Sequence, residues 1–68
     1  MNENKKEQFW IGKKAKIEIL KDGKRLIYTA NILEYDYFMI TFLDRDGVVY
    51  SFNTGLIKEM QEISNGGA

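Results

Sequence analysis

The sequence predicts a small all-β barrel of five strands. Three observations predict it: apolar and polar residues alternate from Ala15, β-branched and aromatic residues are enriched up to Tyr35, and glycine-containing turns recur at roughly ten-residue intervals. In the first strand Ala15, Ile17 and Ile19 alternate with Lys16, Glu18 and Leu20, the period of two of a half-buried strand. The Asp22-Gly23 dipeptide that follows is a preferred hairpin turn, because Gly tolerates positive φ.

A second strand is expected over about Arg25 to Tyr35. Its apolar residues change phase, with Leu26, Tyr28 and Ile32 on even numbers and Leu33 and Tyr35 on odd ones. A bulge or sharp bend between Ala30 and Leu33 reconciles the two phases, as the corner of a small barrel requires. Asp36 marks a tight turn, Phe38 to Asp44 the third strand and Arg45-Asp46-Gly47 the next turn. Val48 to Phe52 forms the fourth strand and Asn53-Thr54-Gly55 a short loop. The stretch Leu56 to Ile63 fits either a strand or a helix. The β-branched Ile57 and the lack of an N-cap other than Thr54 favour strand.

Three segments follow from this pass. Residues 1–8 are polar and suit a short helix, with Asn4 as N-cap, Glu7 closing a capping box and Gly12 as the stop. Residues 9–63 form the barrel, and residues 64–68 are a small-residue tail expected to be disordered.

The chain has 68 residues, and a domain of that size buries only about 60% of the surface its unfolded form exposes. It contains no Cys and no His, which excludes disulfide staples and the usual zinc ligand sets. Dense packing or self-association must offset the small core. No apolar run approaches the roughly 18 residues of a membrane span, and Met1 to Glu7 carries no signal-peptide apolar segment. A cytoplasmic protein without membrane partners is the expectation.

Ten Lys and Arg balance ten Asp and Glu, which argues against nonspecific duplex DNA binding. The charge is unevenly spread. Residues 5–25 hold eight of the basic residues against Glu7, Glu18 and Asp22, so one basic face remains open. Ser51 and Ser64 have no base arranged around them, and Asp44 to Gly47 lacks the loop length of a calcium hand. No enzymatic activity and no cofactor are expected.

The run Ile11-Gly-Lys-Lys-Ala-Lys-Ile-Glu-Ile19, then Asp22-Gly23, then Tyr28 to Asp36, resembles the Sm-like family in the order of its hydrophobic, glycine and aspartate positions. Tyr35-Asp36-Tyr37-Phe38 is similar to the Phe-Asp-x-Phe stretch of the bacterial Sm-like RNA chaperones. The resemblance covers about residues 11–63. It implies a strongly bent five-stranded antiparallel barrel, related to SH3-like barrels, with a short N-terminal helix. It also implies homo-oligomeric rings joined through the edges of the fourth and fifth strands, and RNA bound by loop residues at the ring pore. On that reading Asp36, Tyr37 and Phe38 lie in the base-stacking loop between strands two and three, and Asn53, Thr54 and Gly55 in the loop between strands four and five. The chain departs from the family where Ile40 replaces the base-contacting Asn, Thr54 an Arg, Ser51-Phe52 a Lys-His and Ala30 a strand glycine.

The residues themselves leave alternatives open. Tyr37 and Phe38 either stack bases or fill the core, with core favoured for Phe38 and stacking for Tyr37. Tyr28, Tyr35 and Tyr50 suit the core, the barrel rim or an interface, and Trp10 a cap on one barrel end. Lys13 and Lys14, with Lys16, either contact phosphates or keep an outward strand face soluble. The function expected is a non-enzymatic, oligomeric Sm-like module for RNA or single-stranded nucleic acid; the alternative is a protein–protein adaptor or inhibitor that binds no nucleic acid.

Overall fold

The computed structural model describes residues 9–63. The expected N-terminal helix over 1–8 and the tail over 64–68 lie outside the described residues. Five strands form one antiparallel sheet: β1 (Lys14–Lys21), β2 (Lys24–Tyr35), β3 (Met39–Asp44), β4 (Val49–Asn53) and β5 (Ile57–Glu62). The order across the sheet is β4-β3-β2-β1-β5, so β4 and β5 stand at its two edges. A single 3₁₀ turn, Thr54–Leu56, joins β4 to β5. It takes Leu56 out of the last strand, while Ile57 onward is strand rather than helix.

β1 and β2 pair in unbroken register from Lys14↔Asn31 to Lys21↔Lys24. The tight turn between them needs two left-handed residues, and Asp22 (φ 54°) and Gly23 (φ 77°) supply them. Ala15, Ile17 and Ile19 are fully buried, as alternation requires. In β2 the inward phase runs through Ala30 and Ile32 and then breaks. Ile32 faces Phe42 and Glu34 faces Thr41, so Leu33 is the extra residue of a bulge and lies 43% exposed. The bulge is what turns Tyr35 back toward the core.

Among the described residues the core comprises Ala15, Ile17, Ile19, Ala30, Ile32, Ile40 and Phe42. Burial of each large member contributes about 1.5–3 kcal/mol. Tyr28, Phe42, Tyr50 and Phe52 stack around one another with ring centroids 4.8–6.1 Å apart. Of the core, rim and interface positions open to Tyr28, Tyr35 and Tyr50, all three pack against the core, each half-buried. Desolvation raises the Tyr28 phenol above the ordinary tyrosine value, and Tyr50 and Asp44 add to the effect. Trp10 packs on the core beside Phe9 in an edge-to-face pair. Gly12, at φ 86°, lets the chain swing onto β2, where its N–H donates to Ile32 O and Ile32 N–H donates to Lys13 O.

Candidate nucleic-acid interface

The β2–β3 turn begins with an aspartate placed where its side chain can replace a missing strand partner. Asp36 Oδ1 accepts from the N–H groups of both Phe38 and Met39 at 2.8 Å, while Asp36 N–H donates to Met39 O at 2.9 Å. These three bonds close the turn without glycine. The Met39 and Phe38 N–H groups stabilise the carboxylate, so its pKa lies below the ordinary aspartate range.

A second set of bonds ties this turn to the end of β4. Thr54 N–H donates to Phe38 O at 2.8 Å, and Thr54 Oγ1 donates to Tyr37 O at 2.7 Å. Asn53 Oδ1 accepts from Gly55 N–H at 2.8 Å and so starts the 3₁₀ turn. A Cβ added at Gly55 would sit 3.0 Å from that same oxygen, which explains why the smallest residue occupies the position. Asp36, Tyr37, Phe38, Asn53 and Thr54 therefore form one hydrogen-bonded unit built from two loops.

This unit presents two aromatic rings to solvent. Tyr37 is 75% and Phe38 66% exposed, and their rings meet edge to face with centroids 5.1 Å apart. The expectation that Phe38 fills the core is overturned. By numbering it shares the phase of Ile40 and Phe42, but the β3–β4 ladder ends at Met39↔Asn53 and Phe38 lies beyond it. Inward phase at that point leads off the end of the sheet instead of under it. Met39, 41% exposed, widens the apolar surface. Sequence reading passed over Met39; the signal was the Asx turn itself, which spends the amides at two and three residues after Asp36.

The remaining two site residues are placed elsewhere. Lys13 Nζ lies 3.7 Å from Glu62 Oε2 and 4.5 Å from the centroid of the Phe9 ring. Lys14 is exposed at the start of β1, opposite Asn31. Lys14 pairs with Asn31 and Lys13 O accepts from Ile32 N–H, so both lysines lie beside the C-terminal part of β2, the strand that leads into the aromatic turn, and outside the hydrogen-bonded unit itself. Nor is there a continuous basic face along β1. Lys16 faces Gln61, Glu18 faces Glu59, and Arg25 Nε meets Glu18 Oε2. With Ile27 these residues line a shallow groove of mixed charge across β2, β1 and β5.

Ile40 is fully buried, so no side chain at this position could reach a bound base without reorganising the core. Ser51 shares a hydrogen bond of 2.7 Å with Thr41 across β3 and β4. No helix among the described residues is long and apolar enough to cross a membrane. The chain matches no protein-family model, no curated protein and no solved structure.

Proposed function

We propose that the chain is a non-enzymatic Sm-like module that binds single-stranded RNA by stacking bases on Tyr37 and Phe38. The observation that carries this reading is the exposure of two adjacent aromatic rings on a turn held by five hydrogen bonds. Exposed rings on a floppy loop would lose ordering entropy on binding; rings on a bonded turn lose less. Each stacked base is worth about 1–3 kcal/mol. On this reading stacking on the two rings is the main source of affinity.

On this reading the bent sheet closes as a small SH3-like barrel, residues 1–8 add a short helix and the protein works in the cytoplasm. Copies associate edge to edge, and the two edges differ in a way that suits the pairing of unlike strands. β4 (Val-Tyr-Ser-Phe-Asn) has no charge, whereas β5 (Ile-Lys-Glu-Met-Gln-Glu) carries three. An uncharged edge strand is an open template for pairing.

Fluorescence anisotropy with labelled uridine and adenine oligomers at low salt tests the binding. Wild type should bind, Y37A and F38A should each bind about tenfold more weakly or worse, and absence of wild-type binding to either oligomer refutes the reading. Light scattering tests association, which a particle of 7.9 kDa at high concentration would refute. The adaptor reading draws on one observation, the exposed Val48 and Val49 at the head of the edge strand. It would be favoured if V49K abolished association with a captured protein while RNA failed to bind.

A further inference from the structure

The bonds that hold the aromatic turn leave it an unusual polar inventory. Thr54 Oγ1 has its proton engaged by Tyr37 O, and Asn53 Oδ1 is engaged by Gly55 N–H. Asp36 Oδ1 already accepts two backbone N–H groups. What remains beside the stacking rings is the other oxygen of Asp36, one residue from Tyr37, and the hydroxyl of Tyr37 itself. A carboxylate oxygen is acceptor-only. It is also fixed, because the two N–H bonds at Oδ1 set the plane and rotation of the whole group.

We infer that this site prefers guanine among the four bases, with the free Asp36 oxygen accepting from the base's Watson–Crick edge while the base stacks on Tyr37 or Phe38. The inference rests on the stacking reading above and adds the identity of the base. Guanine is the one base whose Watson–Crick edge carries two neighbouring donors, N1–H and N2–H₂. The adenine and cytosine edges set an acceptor nitrogen next to their amine, and the uracil imide N–H stands between two carbonyl oxygens. Each of those acceptors faces a negative oxygen at close range and opposes binding. Recognition of unstacked bases by aromatic rings plus Watson–Crick contacts is the general mode for single-stranded RNA, and a well-placed pair of such contacts discriminates by about tenfold or more.

The test uses the full chain and short uridine oligomers in which one central position is guanine, inosine, adenine, cytosine or uridine, read by anisotropy at low salt. The guanine oligomer should bind about tenfold tighter than the adenine, cytosine and uridine ones, with inosine, which lacks the N2 amine, in between. D36N sharpens the result. Its side-chain carbonyl can still cap the Phe38 and Met39 amides, which forces the NH₂ into the place of the free oxygen and should erase the guanine preference while the fold, read by circular dichroism, is kept. Equal binding of all five oligomers, inosine equal to guanine, or a preference that persists in D36N overturns the guanine assignment and leaves stacking intact. Failure of every oligomer to bind overturns the stacking reading and this inference together.

Discussion

Two of the hairpin turns are built on the same device and present different residues. In the β2–β3 turn Asp36 Oδ1 accepts the N–H groups of Phe38 and Met39; in the β3–β4 turn Asp44 Oδ1 accepts those of Asp46 and Val48 at 2.8 and 3.0 Å. The second turn adds Gly47 at φ 84°, whose N–H donates to Asp44 O, and it displays Arg45 and Asp46. Charged residues at a turn tip cost nothing to expose. The first turn instead displays Tyr37 and Phe38, and it alone of the two is bonded to a neighbouring loop, through Thr54. Two large apolar rings left in water while a 68-residue chain is short of core material are poor economy for stability alone. The difference therefore points to the first turn as the place where another molecule is met.

The comparison predicts its largest contrast in binding. Y37A/F38A should lose RNA affinity by about tenfold to a hundredfold per ring, whereas R45A/D46A at the other turn should stay within about twofold, since no stacking surface is removed. Anisotropy on both double variants decides it, and equal losses would show that the two turns do not differ in function. Thermal unfolding of Y37A/F38A should match wild type, because both rings are already exposed.

Stability should invert the contrast. Asp44 is half-buried and caps two amides at the sheet end, so D44A should cost about 1–2 kcal/mol in urea unfolding. D36A should cost less, since Asp36 is fully exposed and Thr54 still holds its turn. A D36A loss exceeding that of D44A would mean that the aromatic turn is a structural element first.

A finer probe is T54V, which keeps the β-branched shape and removes the bond to Tyr37 O. It should cost about 0.5–1.5 kcal/mol and speed hydrogen exchange at Phe38 and Met39, leaving Asp46 and Val48 unaffected. Uniform acceleration at all four amides would show that the tether does not act locally.

The smallest effect is on pH. The Asp36 carboxyl is lowered by the Met39 and Phe38 N–H groups, so its folded value is below its unfolded one. Its contribution is then complete at neutral pH and is lost as pH falls from roughly 4, the ordinary aspartate value, through the lower folded value. Amide shifts of Phe38 and Met39 should titrate in that acid window in wild type and be flat in D36N. Titration above the ordinary value would contradict the assigned bonds.

Much of this architecture was legible in the chain because it depends on neighbours in sequence. Alternation at Ala15, Ile17 and Ile19 reports which side of a strand is buried, Asp22-Gly23 specifies a left-handed pair of backbone conformations, and the phase change around Leu33 announces a bulge. The five loop residues of the candidate site were singled out through the Sm-like resemblance, while their turn positions followed from Asp36 and from Asn53-Thr54-Gly55. Two features were not legible. Phe38 carries the phase of buried Ile40, and only the length of the β3–β4 ladder, which stops at Met39↔Asn53, leaves it outside. Lys13 and Lys14 sit in a basic run, and only the pairing of β1 with β5 sets Lys13 against Glu62.

The sequence by itself determined the class of the fold, the positions of its turns and the faces of its strands, because backbone preference and period-two patterning act over a few residues. The tertiary structure alone decided that Thr54 grips the turn carrying Tyr37, and that Phe38 lies beyond the end of the β3–β4 ladder and stays exposed. Residues 37 and 54 are seventeen apart in sequence, and which donor finds which acceptor across that separation is set by how β3 and β4 bring the chain back upon itself.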